Sequence, residues 1–231
     1  MGSFGLYVLF FGVPLILGLA VQGWLRSTFS RYSQVGVSSG MTGAQAAREI
    51  LDKNGLHDVP VQPSKSGPLS DHYDPKRRAL FLSESVMNGR SIAATAVAAH
   101  ESGHAIQHAK SYVPMTVRSA IWPIAAFGSQ AWFFILILGF FTSGASDYVS
   151  PLIPIALIMF AAVVLFQFVT LPVEFNASRR ALVQIRELGL VTDAEATGAR
   201  KTLTAAAMTY VAGALASLAQ LLYFLLIFGR R

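Results

Sequence analysis

His100-Glu101-Ser102-Gly103-His104 places two imidazoles four residues apart, with a carboxylate directly after the first. On an α-helix, side chains at i and i+4 share a face and lie close enough to hold one metal ion. Glu101 stands beside that pair, where it can take a proton from a metal-bound water. With five histidines and six glutamates in 231 residues, chance would produce this HExxH pattern about 0.003 times per chain. A helix that happens to carry two solvated histidines explains it poorly.

The elements that must position this group are apolar to an unusual degree. Hydrophobic residues make up 53% of the chain and charged ones 13%, about half the usual charged share. Four apolar stretches, approximately Phe4 to Leu25, Ala120 to Phe141, Pro151 to Leu171 and Ala205 to Phe228, each have the ~20 residues a helix needs to cross a bilayer core. The first lacks the basic n-region and small-residue cleavage site of a secretory signal. Trp24 and Arg26 end it as an interfacial anchor would. The absence of cysteine excludes disulfides, thiolate metal sites and a cysteine nucleophile.

Charge orients the spans. Sixteen of the 18 Lys and Arg residues fall in two segments, between the first and second stretches and between the third and fourth. The short turn from Thr142 to Ser150 carries only Asp147, and Arg230 and Arg231 alone dissent. The positive-inside rule makes both basic segments cytoplasmic. The net charge of +6 is therefore a topological signal, and nucleic acid needs no place among the partners.

The expected organisation is a first transmembrane helix over 1–25, a cytoplasmic segment over 26–118 with the HExxH helix, and two spans within 119–171. A second cytoplasmic segment follows over 172–204, then a fourth span and C-terminus over 205–231. The fold class is mainly α, a polytopic membrane protein with a small β-sheet in its cytoplasmic part. Thr42 caps a helix that ends at Asn54-Gly55. Val59-Pro60-Val61 is extended, Pro63 to Pro68 is a loop, and Asp74-Pro75 is a turn. Ala79 to Ser83 reads as a strand, placed at a sheet edge by the preceding Lys76-Arg77-Arg78; there it could align an extended substrate. Ser83 and Ser91 are N-caps, the second opening a helix from about Ile92 to Lys110. Pro172 opens a helix in its first turn, and Thr192 with Glu195 forms a capping box.

A two-histidine zinc site needs a third protein ligand and leaves a fourth position for water. His108 extends the run, but it lies about 12 Å along the axis from His100 on a straight helix; it reads better as a neighbour of the site or a solvated residue. Glu174 is the other candidate, an acid just past the third span. An acid in a first helical turn would also be explained by the helix dipole.

Three segments carry a resemblance. Leu69-Ser-Asp-His-Tyr-Asp-Pro75, Ala98-Ala-His-Glu-Ser-Gly-His-Ala-Ile-Gln-His108 and Leu171-Pro-Val-Glu-Phe-Asn-Ala-Ser-Arg-Arg180 resemble the YugP-type bacterial membrane zinc metallopeptidases. The similarity spans nearly the whole chain. The plan is more distantly similar to the HtpX and CAAX-processing membrane proteases, in which a glutamate on a later helix completes the site. That resemblance implies one Zn²⁺ per chain on His100, His104 and Glu174, with Glu101 as the catalytic base. In the wider group an aspartate usually follows the ligand glutamate by four residues. Here that position is Ser178, so Ser178, Asn176 or another group must orient the imidazoles. Candidates for an oxyanion donor or substrate contact are His72, Tyr73, Arg179 and Tyr210.

The function this implies is zinc-dependent endopeptidase activity on membrane or membrane-associated proteins, at the cytoplasmic face of a bacterial plasma membrane. Lipid bilayer and a protein or peptide substrate are the implied partners, with membrane-protein regulators besides. Polar residues flank the motif, which disfavours cleavage at mid-bilayer. A transporter would carry ionisable residues within its spans, and these stretches have essentially none. The remaining alternative is a membrane scaffold or assembly protein that retains a metal site but turns over weakly.

Overall fold

The computed structural model describes residues 3–67, 70–143 and 150–228. Pro68, Leu69, Asp147, Arg230 and Arg231 lie outside the described residues. The order of elements is α1 (Phe4–Ser33, with a π-helical turn over Val8–Gly12), α2 (Gly43–Lys53), β1 (Val61–Pro63), β2 (His72–Asp74), β3 (Ala79–Leu82), α3 (Glu84–Met87), α4 (Ile92–Ala109), α5 (Val113–Ser143), α6 (Leu152–Glu187) and α7 (Asp193–Phe228). The protein is mainly helical, and α1, α5, α6 and α7 are each long and apolar enough to cross a membrane. The chain forms two compact units, one of Gln22–Met115 and Pro172–Met208, the other of Met1–Val21, Thr116–Leu171 and Thr209–Arg231.

The first unit has a conventional buried core. Thr42 and Gln45 cap α2 reciprocally, each side chain accepting the other's backbone N–H. The helix stops at Asn54, and Gly55 follows with φ +73°, a left-handed conformation that glycine adopts without strain. Ala46, Ala47, Ile50 and Leu51 form its buried face and pack with Leu80, Leu82 and Val86.

The three strands are ordered β1-β3-β2, with β1 parallel and β2 antiparallel to β3. The strand beginning at Ala79 is therefore central, contrary to the edge position expected from the basic residues before it. Burial explains the difference: Leu80 and Leu82 are fully enclosed, and Lys76 to Arg78 form the turn from β2, with Arg78 at φ +50°. Ser83 leaves the sheet, its N–H and Oγ donating to the Asp71 carboxylate.

Two helix starts follow their caps. Ser91 Oγ accepts the Ala94 N–H at the head of α4, and Thr192 and Glu195 exchange hydrogen bonds at the head of α7. Pro172 does not open a helix. It lies inside α6, which runs unbroken from Leu152 to Glu187. Loss of one N–H donor there does not end a helix that carries so much apolar length.

In the second unit, Leu136, Ile153, Ala156 and Leu157 form a small buried cluster beside Trp132, whose ring stacks on Phe160 at 4.2 Å. Most other large side chains face outward; Phe134 is 72% exposed, and Phe141 and Ile158 are similar. So much contiguous apolar surface is costly in water and costs nothing against lipid tails.

Candidate metal centre

Helix α4 is built to be approached. Its alanines at 93, 94, 96, 98, 99 and 105 are buried, and small side chains let neighbours come close. Gly103 marks the nearest approach: a Cβ there would stand 2.7 Å from the Ala177 carbonyl oxygen of α6. No side chain fits at that contact. The crossing brings Glu174, one helical turn before Ala177, onto the face of α4 that carries both histidines.

His100 Nε2 lies 3.2 Å from Glu174 Oε2, and His104 Nε2 lies 3.6 Å from the same oxygen. The imidazole rings stand edge to face, with centroids 4.7 Å apart. One ligand atom from each of the three residues falls within 4.8 Å of the others. All three side chains are largely enclosed, Glu174 most of all. Burial opposes a charge on His104, but the Glu174 carboxylate outweighs it and holds that imidazole's pKa above its usual value.

The second nitrogens are also engaged. His104 Nδ1–H donates to Gln107 Oε1 at 2.9 Å. Gln107 in turn donates through Nε2 to the Val173 carbonyl and to Asn176 Oδ1, an oxygen that also receives Arg180 Nε. Because that amide spends its N–H groups on two oxygens, its own oxygen faces His104 and selects the tautomer with hydrogen on Nδ1. His100 Nδ1 meets Ser178 Oγ at 3.1 Å. On both rings it is Nε2, the nitrogen left over from these contacts, that faces Glu174.

This donor set fits zinc. Ligand atoms on one tetrahedral ion at ~2.1 Å stand about 3.4 Å apart, and the two nitrogen–oxygen separations bracket that value. Two imidazoles and a carboxylate also match the preference of zinc for nitrogen and oxygen donors.

A family model described as "Putative neutral zinc metallopeptidase" matches residues 7–229. The chain belongs to that zinc metallopeptidase family. It is also 49% identical over 217 residues to the "Putative membrane protease YugP" of Bacillus subtilis (strain 168), covering 92% of this chain and 94% of that protein. No solved structure matches it.

Within this member of the family, the remaining residues singled out from the sequence have distinct places. Glu101 is buried, and its Oε2 accepts the Tyr73 N–H at 3.0 Å. The main chain of Tyr73, rather than its ring, thus addresses the group. The Tyr73 hydroxyl bonds His108 Nδ1 at 2.8 Å, and His108 is not among the three grouped residues. His72 is turned to other partners, bonding the Ser70 carbonyl and stacking on Phe81 at 5.0 Å. Arg179 lines a groove with Phe175 and Arg186. Tyr210 belongs to the other unit.

Two residues escaped the sequence reading. Gln107 follows His104 by three positions and so shares its helix face, a signal that was available. Gly103 occupies an unspecified place in HExxH, and only the approach of α6 reveals its part.

Proposed function

We propose that the protein is an integral-membrane zinc endopeptidase, with one Zn²⁺ per chain, that hydrolyses peptide bonds of membrane or membrane-associated proteins at the cytoplasmic face of a bacterial plasma membrane. The observation that carries this reading is the convergence of three donors from α4 and α6, His104 and Glu174 buried and His100 partly so, beside a buried Glu101. A surface metal site for a scaffold would not need a carboxylate enclosed next to it.

His100 and His104 bind through Nε2, and Glu174 through a carboxylate oxygen. When bound, zinc supplies Lewis acidity, polarising a peptide carbonyl and activating water at neutral pH. Ser178 and Gln107 hold the imidazoles in register by their Nδ1 hydrogens. Glu101 takes a proton on its carboxylate as the water attacks, and returns it to the leaving amine. The Tyr73 N–H steadies that carboxylate at Oε2. The surrounding alanines and Ile106 keep bulk water from the ligands. Sixteen of 18 basic residues in segments 26–118 and 172–204 support the cytoplasmic orientation.

Purified protein is expected to bind one zinc and to cleave a casein-type substrate. Glu101→Gln should keep the zinc and lose activity by about 10²–10⁴-fold, whereas Glu174→Ala should lose both. Full zinc content in Glu174→Ala, measured by atomic emission, would move the third ligand elsewhere. Zinc without turnover in the wild type would favour the scaffold.

A further inference from the structure

Beyond the metal group, α6 presents Phe175, Arg179, Leu182, Val183 and Arg186 on one face, and with Arg200 of α7 they line an open groove of about 390 Å³. Phe175 and Val183 are 48% and 45% exposed. None of the three guanidiniums makes an ion pair with a carboxylate among the described residues. Positive-inside anchoring accounts for arginines near a span, but not for three unneutralised ones converging on half-exposed apolar side chains. An occupant that is both anionic and apolar satisfies them together.

The groove also borders the metal group. Ser178 forms part of its wall, and the hydroxyl of that residue lies 3.1 Å from His100 Nδ1.

Length decides between an anionic lipid and an acidic peptide. From Phe175 to Arg186 the helix advances about 16 Å, whereas the headgroup layer of one leaflet is only ~5–8 Å deep. An extended peptide would cover the same distance with about five residues. We infer that this groove binds an acidic, apolar-punctuated segment of the substrate polypeptide, its carboxylates on Arg179, Arg186 and Arg200. The inference rests on the peptidase reading and names its substrate class: proteins with an acidic stretch flanking the cleaved bond.

The test uses full-length, zinc-loaded Glu101→Gln protein in detergent and a labelled five-residue peptide alternating glutamate with leucine. By fluorescence anisotropy it should bind about tenfold more tightly than its glutamine counterpart, and more weakly as salt rises. Arg186→Gln combined with Arg200→Gln should abolish that difference with zinc content unchanged, the zinc reporting an intact fold. Equal binding of the two peptides, or an unaltered preference in the double variant, overturns the inference. So does phosphatidylglycerol that displaces the peptide and whose retention in native mass spectra depends on the same two arginines; the groove would then be a lipid site. A protein that binds no zinc, or that hydrolyses nothing as wild type, sinks the peptidase reading instead, and the anisotropy still reports on the groove.

Discussion

Leu80 and Phe134 are both large and apolar, yet one is fully buried and the other 72% exposed. They stand for two regions that satisfy the same physics in opposite ways. The unit around β3 excludes water from its own interior, and a chain of paired polar groups runs through it from Arg180 by Asn176 and Gln107 to His104. The apolar unit leaves its hydrophobic surface outside, where lipid replaces protein as the packing partner. Metal chemistry belongs in the first kind of region because an oriented imidazole needs fixed neighbours, which fluid acyl chains do not provide.

The sharpest way to break this contrast is Leu80→Ala against Phe134→Ala. The first should lower stability by about 2–5 kcal/mol, with a cavity left behind. The second should change it by less than about 1 kcal/mol, because lipid or detergent fills the gap. Chemical unfolding in micelles reads both, and equal losses would mean that Phe134 packs against protein. Gly103→Ala comes next: the added methyl meets the Ala177 carbonyl, so a cost of about 1–3 kcal/mol is expected together with loosened zinc. Wild-type zinc affinity in that variant would show that α6 can move aside freely.

Gln107→Leu keeps the volume but removes the acceptor at His104 Nδ1. Zinc affinity should fall about 10–100-fold, and cobalt substitution would report the altered ligand field; an unchanged affinity would mean that His104 is held without this acceptor. The smallest effect concerns Asp71, whose carboxyl burial pushes above its usual pKa against the pull of the Ser83 donors. A raised folded pKa gives stability that is fully present below the unfolded value and is lost as pH rises through the folded one. Relative to Asp71→Asn, the wild type should therefore gain slightly in unfolding midpoint on acidification from neutral pH. A gap that does not vary with pH would assign the effect to Ser83 contacts alone.

Apolar runs, caps and the pair of histidines were legible in the sequence because each depends on near neighbours. Thr42, Asn54-Gly55, Ser91 and Thr192 with Glu195 all mark helix ends observed in the structure. What depends on distant partners was harder to see. Strand β2 is three polar-leaning residues, His72 to Asp74, too short to show alternation. The central place of β3 was masked by basic residues that serve a turn. Glu174 lies 74 residues from His100, so helix periodicity offers no route to it; family resemblance pointed there, and the glycine-backed helix crossing supplies the physical reason. The stand-in for the missing aspartate was open among Ser178, Asn176 or another group. The structure divides the task, with Ser178 on one imidazole, and Gln107 backed by Asn176 on the other.

The donor that steadies Glu101 is a peptide nitrogen. It belongs to the main chain, so any residue except proline at position 73 that keeps the strand pairing would supply it. Its placement follows from the antiparallel alignment that sets Tyr73 opposite Leu80. A slip of one residue along that ladder would turn the adjacent amide the other way. The carboxylate is thus wired to how two short strands are threaded, and a change remote from the histidines that shifts this threading would take that N–H away from it.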